Sequence, residues 1–365
     1  MIVALFSSGR GDDLTSGQFV PEKKWFFIFC GIMILSALFS SFWGICYRFL
    51  IEYMKTILLL VGIVSILKNE DDFKSLSSVI LASAITLSLP IIIGGITDNR
   101  ISVGTYYDPN DLSMVMNCSI PFLIFLLYSE NKKIKIISML TILFSIIAII
   151  ATQSRMGFLA LIFNGIFYVY FTRATDVRIL NKIMILSFVI VTFSAVAGEL
   201  YWDRMGTILS KEQTGSGRTL IWKRSLLMIS EHPISGTGPG TFVSSYGRML
   251  RSGSFESVGN EYDRAWKTAH NSYLIVASEL GVFGLIAFLM VLWNSVGCLN
   301  RVRNICRNRD DGEAVLYMAN AVLSSFLIFI FCSLFLSQAY SSVLIILIGS
   351  SILVRKINQR KIVMI

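Results

Sequence analysis

The stretch YLIVASELGVFGLIAFLMVLWNSVGCL, from Tyr273 to Leu299, holds 27 residues and a single charged side chain, that of Glu279. About 20 apolar residues suffice for an α-helix to cross the hydrocarbon core of a bilayer. Similar apolar runs recur along the chain of 365 residues, of which only 15% are charged, against roughly 25% in soluble domains. The sequence therefore predicts an all-α, polytopic membrane protein and argues against a large soluble core.

Ten apolar segments of this kind are present, and we predict that they form about ten transmembrane helices in one membrane domain covering residues 1–365. They lie near Trp25–Ile45, Phe49–Leu67, Leu76–Ile96, Leu112–Tyr128, Ile134–Ala151, Met156–Phe171, Ile183–Gly198, Tyr273–Leu299, Ala314–Leu336 and Ser342–Val354. The second is the weakest, because Arg48, Glu52 and Lys55 share one helical face of its first turns and favour a chain of ion pairs. That stretch either lies along the membrane interface or lines a polar cavity.

Basic residues in the short loops orient the protein. They are Lys132, Lys133, Lys135, Arg173, Arg178, Lys182, Arg301, Arg303, Arg307, Arg309, Arg355, Lys356, Arg360 and Lys361. With ten alternating spans all of them fall on one side, which the positive-inside rule makes cytoplasmic. Both termini are then cytoplasmic. The net charge of +9 reports this topology, and the sequence shows no nucleic-acid-binding module.

The six cysteines form no CxxC pair and lie mostly in or beside apolar runs, so they predict neither a disulfide framework nor a metal site. The sequence also lacks GxxxxGK[ST], HExxH, GxSxG and DxD motifs. The apolar run from Met1 to Phe6 is too short for the core of a signal peptide, and we expect the first span to serve as the insertion signal.

Residues 199–269 form the one long loop between the predicted spans, and the alternation of spans places this loop outside the cytoplasm. Aromatic residues are spread along it at Trp202, Trp222, Tyr246, Tyr262 and Trp266. Thr219–Ser230 predicts an amphipathic helix that Pro233 stops. The run GTGPG from Gly236 to Gly240 predicts a tight turn. We therefore expect this loop to be structured.

His270 stands where the polar loop meets the apolar helix. The only other histidine is His232, which we assign to the end of the loop helix. A titratable group at a membrane boundary is costly to keep and usually serves chemistry or transport. Because the positive partial charge of a helix N-terminus disfavours imidazolium, a neutral imidazole here suits a general base. The equally weighted alternative is an interfacial histidine that only forms hydrogen bonds.

Two arginines on the same side as His270 are candidates to hold a phosphate group. Arg155 lies in TQSRMG between two spans, and Arg218 opens the loop helix with Trp222 one turn later on the same face. Guanidinium binds phosphate in a planar, bidentate way, which suits a reaction in which a diphosphate leaves and a hydroxyl attacks. The alternatives are snorkelling of Arg155 to the interface and a loop salt bridge for Arg218.

Structural roles are favoured for several other residues. Glu279 lies nine residues after His270, on the opposite face of the helix, and either pairs with another span or is held protonated. Gly281 and Gly284 are expected to let a neighbouring helix approach closely. The turn Asp108–Asp111 predicts a helix N-cap before the fourth span.

Four motifs resemble, in the same order, those of the O-antigen ligase and polymerase superfamily. TAHNSYLIVASELGVFGL, at Thr268–Leu285, is similar to the histidine motif of that family, roughly HNxYLxxxxExGxxGL. SGRTLIWKRSLLMISEHPISGTGPGTF, at residues 216–242, is similar to the preceding segment, with an arginine, a tryptophan and then E-x-P-x-x-G-x-G. TQSRMG resembles the serine-arginine motif, and YYDPNDLSMVM resembles a loop with proline and asparagine. Together the motifs span about Tyr106–Leu285.

The resemblance implies a GT-C-like helical fold in the bacterial inner membrane, with a periplasmic active site. It implies metal-independent transfer of a glycan, without a cofactor, from an undecaprenyl-diphosphate-linked donor to an acceptor sugar hydroxyl. By this resemblance His270 would deprotonate the acceptor, Arg155 and Arg218 would hold the departing diphosphate, and the attack would invert the anomeric centre. The substrate site would also include Asn271, Tyr273 and Trp222.

The resemblance leaves the acceptor open. A ligase moves a finished chain onto lipid A core, whereas a polymerase moves a growing chain onto a second lipid-linked repeat unit. A third variant transfers the glycan to serine or threonine of a protein. A transporter of a lipid-linked or anionic substrate is the alternative from another class. It would need polar residues at mid-bilayer and inverted repeats of broken helices, whereas the sequence shows one buried Glu and no repeat.

Overall fold

The computed structural model describes residues 21–94, 108–172, 217–255, 267–307 and 309–363. Within these ranges the chain forms α-helices, one 3-10 turn at Asp310–Gly312 and no strand. The helices are α1 (Pro21–Leu38), α2 (Trp43–Ile66), α3 (Glu70–Gly94), α4 (Pro109–Leu126), α5 (Lys132–Ala151), α6 (Arg155–Thr172), α7 (Arg218–Glu231), α8 (Phe242–Arg251), α9 (Ser272–Cys306), α10 (Glu313–Cys332) and α11 (Ser342–Val363). The all-helical class predicted from the sequence is confirmed.

Six helices of the described part are long and apolar enough to cross a membrane. They are α2, α3 over Glu70–Pro90, α5, α9, α10 and α11, and the shorter α6 is apolar as well. This composition confirms a multi-pass membrane protein. Each predicted span that falls in the described ranges overlaps at least one helix, and the predicted span Ile183–Gly198 lies outside them.

Two predicted spans are shorter than expected. The segment predicted as one helix over Trp25–Ile45 is divided by a turn, in which the hydroxyl of Ser40 accepts a hydrogen bond from the N–H of Phe42 at 3.1 Å. The span predicted to reach Leu336 ends at Cys332. The prediction was wrong at both places because apolar residues continue into each turn, Phe39 and Phe42 in the first and Leu334 and Leu336 in the second.

The charged face predicted for the second span is present on α2. Glu52 and Lys55 form a salt bridge of 2.7 Å, and both side chains are exposed. An exposed pair of this kind contributes at most about 1 kcal/mol to stability. It therefore places two charges on the helix surface without fixing the position of α2.

The described residues fall into two compact units. The first comprises the described residues within 1–66, 215–297 and 333–352, and the second those within 67–214, 298–332 and 353–365. Arg218, Trp222 and His270 belong to the first unit, and Arg155 belongs to the second. The single membrane domain of residues 1–365 stays a prediction.

In the second unit, α4 begins at the predicted N-cap. Asp108 Oδ1 accepts hydrogen bonds from the N–H groups of Asn110 (2.7 Å) and Asp111 (2.8 Å). An apolar core joins α3, α4 and α5 through Ala84, Leu112, Met116, Ile120, Ala148, Ile149 and Ala151. Deeper along α4, Asn164 Nδ2 donates to Asn117 Oδ1 at 2.9 Å. This buried amide pair fastens α6 to α4.

Candidate active site

The helix α7 begins at Arg218, the arginine that the sequence placed at the start of the loop helix. Gly217 precedes it with a φ of 72°, a left-handed backbone that glycine adopts readily. The helix ends before His232, its C-cap residue, and Pro233 follows. The predicted loop helix and its stop are therefore confirmed.

One turn into α7, the indole of Trp222 donates from Nε1 to the carbonyl oxygen of Ala269 at 2.9 Å. Ala269 is fully buried and immediately precedes His270. Since Arg218 lies one turn before Trp222 on the same face, this bond brings the helix that carries the arginine to the backbone beside the histidine. The indole N–H is a donor only, so the contact uses the one hydrogen-bonding group of the ring.

His270 is half-buried and has a φ of 47°. Residues other than glycine rarely adopt this left-handed conformation, and it is found preferentially at functional sites. The first residue of α9 is Ser272, so the imidazole is carried just ahead of a helix N-terminus. This placement confirms the predicted position of His270, whereas its role as a general base stays a prediction.

Asn271 is the N-cap of α9 and is buried. Its Oδ1 accepts hydrogen bonds from the N–H groups of Tyr273 and Leu274, both at 3.0 Å, and its Nδ2 donates to the Leu334 carbonyl at 3.1 Å. A cap of this type stabilises a helix by about 1 kcal/mol. Tyr273 is half-buried and packs edge-on against Phe288, with ring centroids 5.9 Å apart. The predicted contacts of Asn271 and Tyr273 with substrate stay predictions.

The loop after α10 holds the backbone on both sides of His270. The N–H of Ser272 donates to the Ser333 carbonyl at 2.8 Å, and its hydroxyl donates to the Leu336 carbonyl at 2.7 Å. Before the histidine, the hydroxyls of Thr268 and Ser337 lie 2.9 Å apart. Sequence reasoning gave this loop no role, because its apolar residues looked like the end of α10.

The helix α9 is broken at Gly281, whose φ of 69° and ψ of −170° are not helical. Near the break, backbone groups of Ser278, Glu279 and Val282 form hydrogen bonds outside the helix. An unpaired backbone group in the hydrocarbon region costs several kcal/mol. The break is therefore stable only because another part of the chain supplies the missing partners.

The partners come from residues 232–241, which we call the glycine loop. Three backbone–backbone hydrogen bonds join the loop to α9: Thr237 N–H to the Ser278 carbonyl (2.9 Å), Gly238 N–H to the Glu279 carbonyl (2.8 Å) and Val282 N–H to the Pro233 carbonyl (2.8 Å). The hydroxyl of Ser36, on α1, lies 2.6 Å from the Ser235 carbonyl oxygen and 2.8 Å from that of Glu279. The glycine loop thus pairs with α9 along its backbone.

Close approach of the two backbones requires glycine on each side. A Cβ on Gly236 would lie 2.2 Å from the carbonyl oxygen of Glu279, and a Cβ on Gly281 would lie 2.2 Å from that of Ile234. The expectation that Gly281 admits a neighbouring helix was wrong, because its neighbour is the glycine loop. The predicted tight turn is confirmed, with positive φ at Gly236, Gly238 and Gly240.

The side chain of Glu279 binds the far end of the glycine loop. Its Oε2 accepts the N–H of Gly240 at 3.0 Å, and its Oε1 accepts the N–H of Phe242, the first residue of α8, at 2.9 Å. The side chain is buried, and each of its two oxygens accepts one backbone N–H. Burial, with the nearby Glu279, raises the pKa of Tyr340 well above its ordinary value, so this phenol is neutral. The carboxyl group therefore bonds the glycine loop and α8, whereas the contact of Glu279 with another helix is made by its backbone carbonyl with Ser36. The alternative that Glu279 is held protonated stays a prediction.

A buried arginine joins α8 to α7. Arg224 Nη1 donates to the Tyr246 hydroxyl at 3.0 Å, and its guanidinium carbon lies 5.3 Å from the ring centroid of Phe255. Arg224 is only 2% exposed. Sequence reasoning missed this pair although a signal existed, because Arg224 shares a face with the apolar Ile221 and Met228.

In the second unit, Arg155 is the first residue of α6 and is half-buried. The hydroxyl of Ser154 donates to Asn110 Oδ1 at 2.9 Å and accepts the N–H of Gly157 at 3.1 Å. The segment TQSR is therefore joined to the segment DPN. The convergence of Arg155 with the two site residues of the first unit stays a prediction.

No cluster of potential metal ligands is present in the part of the chain that the structure describes. No three His, Cys, Asp or Glu side chains of those residues gather as metal ligands would. All six cysteines are free thiols. Metal independence and the absence of a cofactor stay predictions.

The helices and the site define a multi-pass membrane protein in which a loop helix with an arginine is fastened beside a histidine. Residues 140–289 match the family model described as O-antigen ligase. The matched range is less than half of the chain and includes Arg155, Arg218, Trp222 and His270. It supports the O-antigen ligase superfamily for this protein and confirms the resemblance of its sequence. No curated protein matches the chain.

Proposed function

We propose that this protein transfers a glycan from an undecaprenyl-diphosphate-linked donor to an acceptor sugar hydroxyl at the periplasmic face of the bacterial inner membrane. The O-antigen ligase match supports glycan transfer in general, and the apolar helices support an enzyme embedded in the membrane. One observation carries the proposal furthest. The bond from Trp222 to Ala269 brings the helix of Arg218 to the backbone beside His270.

In the proposed reaction, the neutral imidazole of His270 accepts the proton of the acceptor hydroxyl. The acceptor oxygen attacks the anomeric carbon on the side opposite the diphosphate, so the configuration of that carbon is inverted. The bond between this carbon and the diphosphate oxygen breaks, and its electron pair leaves with the undecaprenyl diphosphate. The half-buried setting of His270 at a helix start suits this role, because it favours the neutral ring.

Arg218 binds the leaving diphosphate. A guanidinium presents paired N–H donors to two phosphate oxygens and stabilises the charge that develops as the bond breaks. Arg218 is the first residue of α7, and the N-cap residue Gly217 provides no side-chain acceptor for the N–H groups of the first turn. The partial positive charge of a helix N-terminus also favours an anion at this place. Arg155 supplies the second guanidinium in this proposal.

Trp222, Asn271 and Tyr273 complete the proposed substrate site. The hydrogen-bonding groups of Trp222 and Asn271 are engaged with the backbone. In this proposal Trp222 therefore contacts the substrate with the face of its ring, and Asn271 contacts it by van der Waals packing. Tyr273 is half-buried beside the cap and can contact the acceptor next to His270. The substrate is therefore held mainly by the arginines and oriented by these three side chains.

The test is reconstitution of the purified protein in liposomes with the lipid-linked glycan donor, in the presence of a chelator. Lipid A core, a second lipid-linked repeat unit and a serine- and threonine-containing peptide are offered as acceptors. We expect extension of lipid A core. Extension of the second repeat unit alone would identify a polymerase, and extension of the peptide alone a protein glycosyltransferase. Movement of the donor across the bilayer without transfer would replace the proposal with a transporter.

The chain offers a matched control for the proposed base. His270→Ala should abolish transfer in a folded protein. His232→Ala changes the only other histidine of the chain, which is exposed at the end of α7, and should keep transfer near the wild-type rate. Wild-type transfer by His270→Ala would exclude His270 as the base.

A further inference from the structure

We propose that Glu279 is a positioning residue, which acts through α8 and α7 to set the placement of Arg218 and of the backbone beside His270. This inference rests on the proposed function of those two residues. It concerns an acid that takes no part in the proposed chemistry and lies nine residues past His270 in the broken helix α9. Four successive links connect Glu279 to the site, and the residues of all four belong to the first unit.

The first link is the pair of hydrogen bonds from Glu279 to the chain at the start of α8. The carboxylate accepts the N–H of Gly240 at 3.0 Å and that of Phe242 at 2.9 Å. Each oxygen holds one N–H, so a carboxylate satisfies both donors where an amide would satisfy only one. Burying this acid is costly unless its partners are well placed, which ties the start of α8 to the break in α9.

The second link runs along α8 to Tyr246, one turn after Phe242. Both side chains are fully or almost fully buried, and their rings stack with centroids 6.2 Å apart. A shift at the start of this short helix is therefore carried to Tyr246. Closely packed interiors transmit such a shift because they hold few voids that could absorb it.

The third link is the 3.0 Å hydrogen bond from Arg224 to the Tyr246 hydroxyl. Arg224 lies in the middle of α7, six residues after Arg218 and two after Trp222. Since α7 is a continuous helix, fixing Arg224 fixes the direction of the helix and the place where its first residue stands.

The fourth link is the bond from Trp222 Nε1 to the Ala269 carbonyl at 2.9 Å. It returns the route to the residue before His270, and α9 begins two residues after that histidine, at Ser272. The contacts thus form a closed ring from Glu279 through α8 and α7 to the start of the same helix. A displacement of about 1 Å in a catalytic group lowers rates by about 100-fold, so a ring of this kind bears on the rate.

The decisive experiment measures kcat and donor KM for Glu279→Gln, Tyr246→Phe and the double variant. Glutamine keeps the shape of Glu279 and loses one of its two acceptor oxygens, and Tyr246→Phe removes one oxygen from the third link. We expect kcat to fall about 10- to 100-fold in Glu279→Gln, with donor KM changing less. If both residues act along one route, the double variant should lose little beyond the larger single effect.

Ser225→Ala is the matched control for Tyr246→Phe. Ser225 is buried on α7, and its hydroxyl donates only to the Ile221 carbonyl of its own helix at 2.8 Å. This variant should keep kcat within about twofold of wild type. Its effect on kcat should multiply with that of Glu279→Gln, as the effects of independent sites do. If the losses of kcat in Glu279→Gln and Tyr246→Phe simply multiplied in the double variant, the inference would be overturned.

Hydrogen exchange separates this inference from the proposed function, because it needs no substrate. In Glu279→Gln, the amides at the start of α8, in the first turn of α7 and at residues 268–270 should exchange faster than in wild type. Unchanged exchange at residues 268–270 would overturn the inference whatever the reaction is. If His270→Ala were active while exchange changed as expected, the proposed function would fail and the structural link would stand. Tyr246→Phe supplies the same readout if Glu279→Gln does not fold.

Discussion

The hydroxyl of Ser154 donates a 2.9 Å hydrogen bond to the side-chain oxygen of Asn110, which lies 44 residues earlier in the chain. Ser154 is fully buried and immediately precedes Arg155. Asn110 in turn stands in the first turn of α4, whose start is fixed by the Asp108 cap. The start of α6, and with it the backbone of Arg155, is therefore anchored to the start of α4.

Asn110→Ala should lower the rate of glycan transfer by about tenfold, because it removes the hydrogen-bond acceptor that fixes Ser154, the residue before Arg155. The loss of one buried hydrogen bond should also lower the free energy of unfolding by about 1 kcal/mol. Asn131→Ala is the control, since Asn131 is the N-cap of α5 and its loss should lower stability by about the same amount, about 1 kcal/mol. Equal rates for the two variants would mean that Asn110 only stabilises the fold.

Gly281→Ala should destabilise the protein by at least about 2 kcal/mol, because the left-handed backbone and the Ile234 carbonyl leave no room for a Cβ. Gly297→Ala, in the same helix, meets nothing within 4 Å and should be neutral or slightly stabilising. Thermal unfolding in detergent measures both. A melting temperature for Gly281→Ala equal to that of wild type would show that the break in α9 is not required.

Arg218→Lys should lower kcat/KM for the donor by about 10- to 100-fold, since a point charge does not reproduce the bidentate fork of guanidinium. Arg251→Lys makes the same change at an exposed position at the end of α8 and should leave kcat/KM within about twofold. Steady-state transfer at varied donor concentration distinguishes the two. A fully active Arg218→Lys would assign Arg218 to a loop salt bridge.

Arg155→Lys should weaken inhibition by a short-chain prenyl diphosphate about tenfold, because the second guanidinium of the proposed diphosphate site is lost. The inhibition constant is compared with that of Arg301→Lys, an exposed basic residue near the C-terminal end of α9 and outside the proposed site. An unchanged constant for Arg155→Lys would favour snorkelling of Arg155 to the membrane interface.

The start and stop of α7 were predictable from the sequence, because glycine before Arg218 and proline after His232 are local signals. The Asp108 cap and the glycine turn were predictable for the same reason. The position of His270 at the start of an apolar helix followed from the change in hydropathy. Each of these features is set by neighbouring residues, which is what a sequence pattern records.

The break at Gly281 was not predictable, because the apolar pattern of Tyr273–Leu299 continues through it without interruption. A glycine in an apolar span is equally typical of close helix packing and of a helix break. Here the hydrogen bonds from the backbone of the glycine loop select the break. The bond between Arg224 and Tyr246 joins residues 22 positions apart, and the bond from Trp222 to Ala269 joins residues 47 apart. Such distant partners leave no local pattern.

The pairing of the glycine loop with α9 has a consequence for biogenesis. Residues 233–238 precede α9 in the chain, so the ribosome releases them before the helix that they complete. When α9 is synthesised, the backbone groups that form hydrogen bonds with its break at Gly281 are therefore already present. Translation order thus supplies residues 233–238 before the helix that needs them as hydrogen-bond partners. A deletion of these residues would leave backbone groups of α9 unpaired and make the helix a poor substrate for membrane insertion.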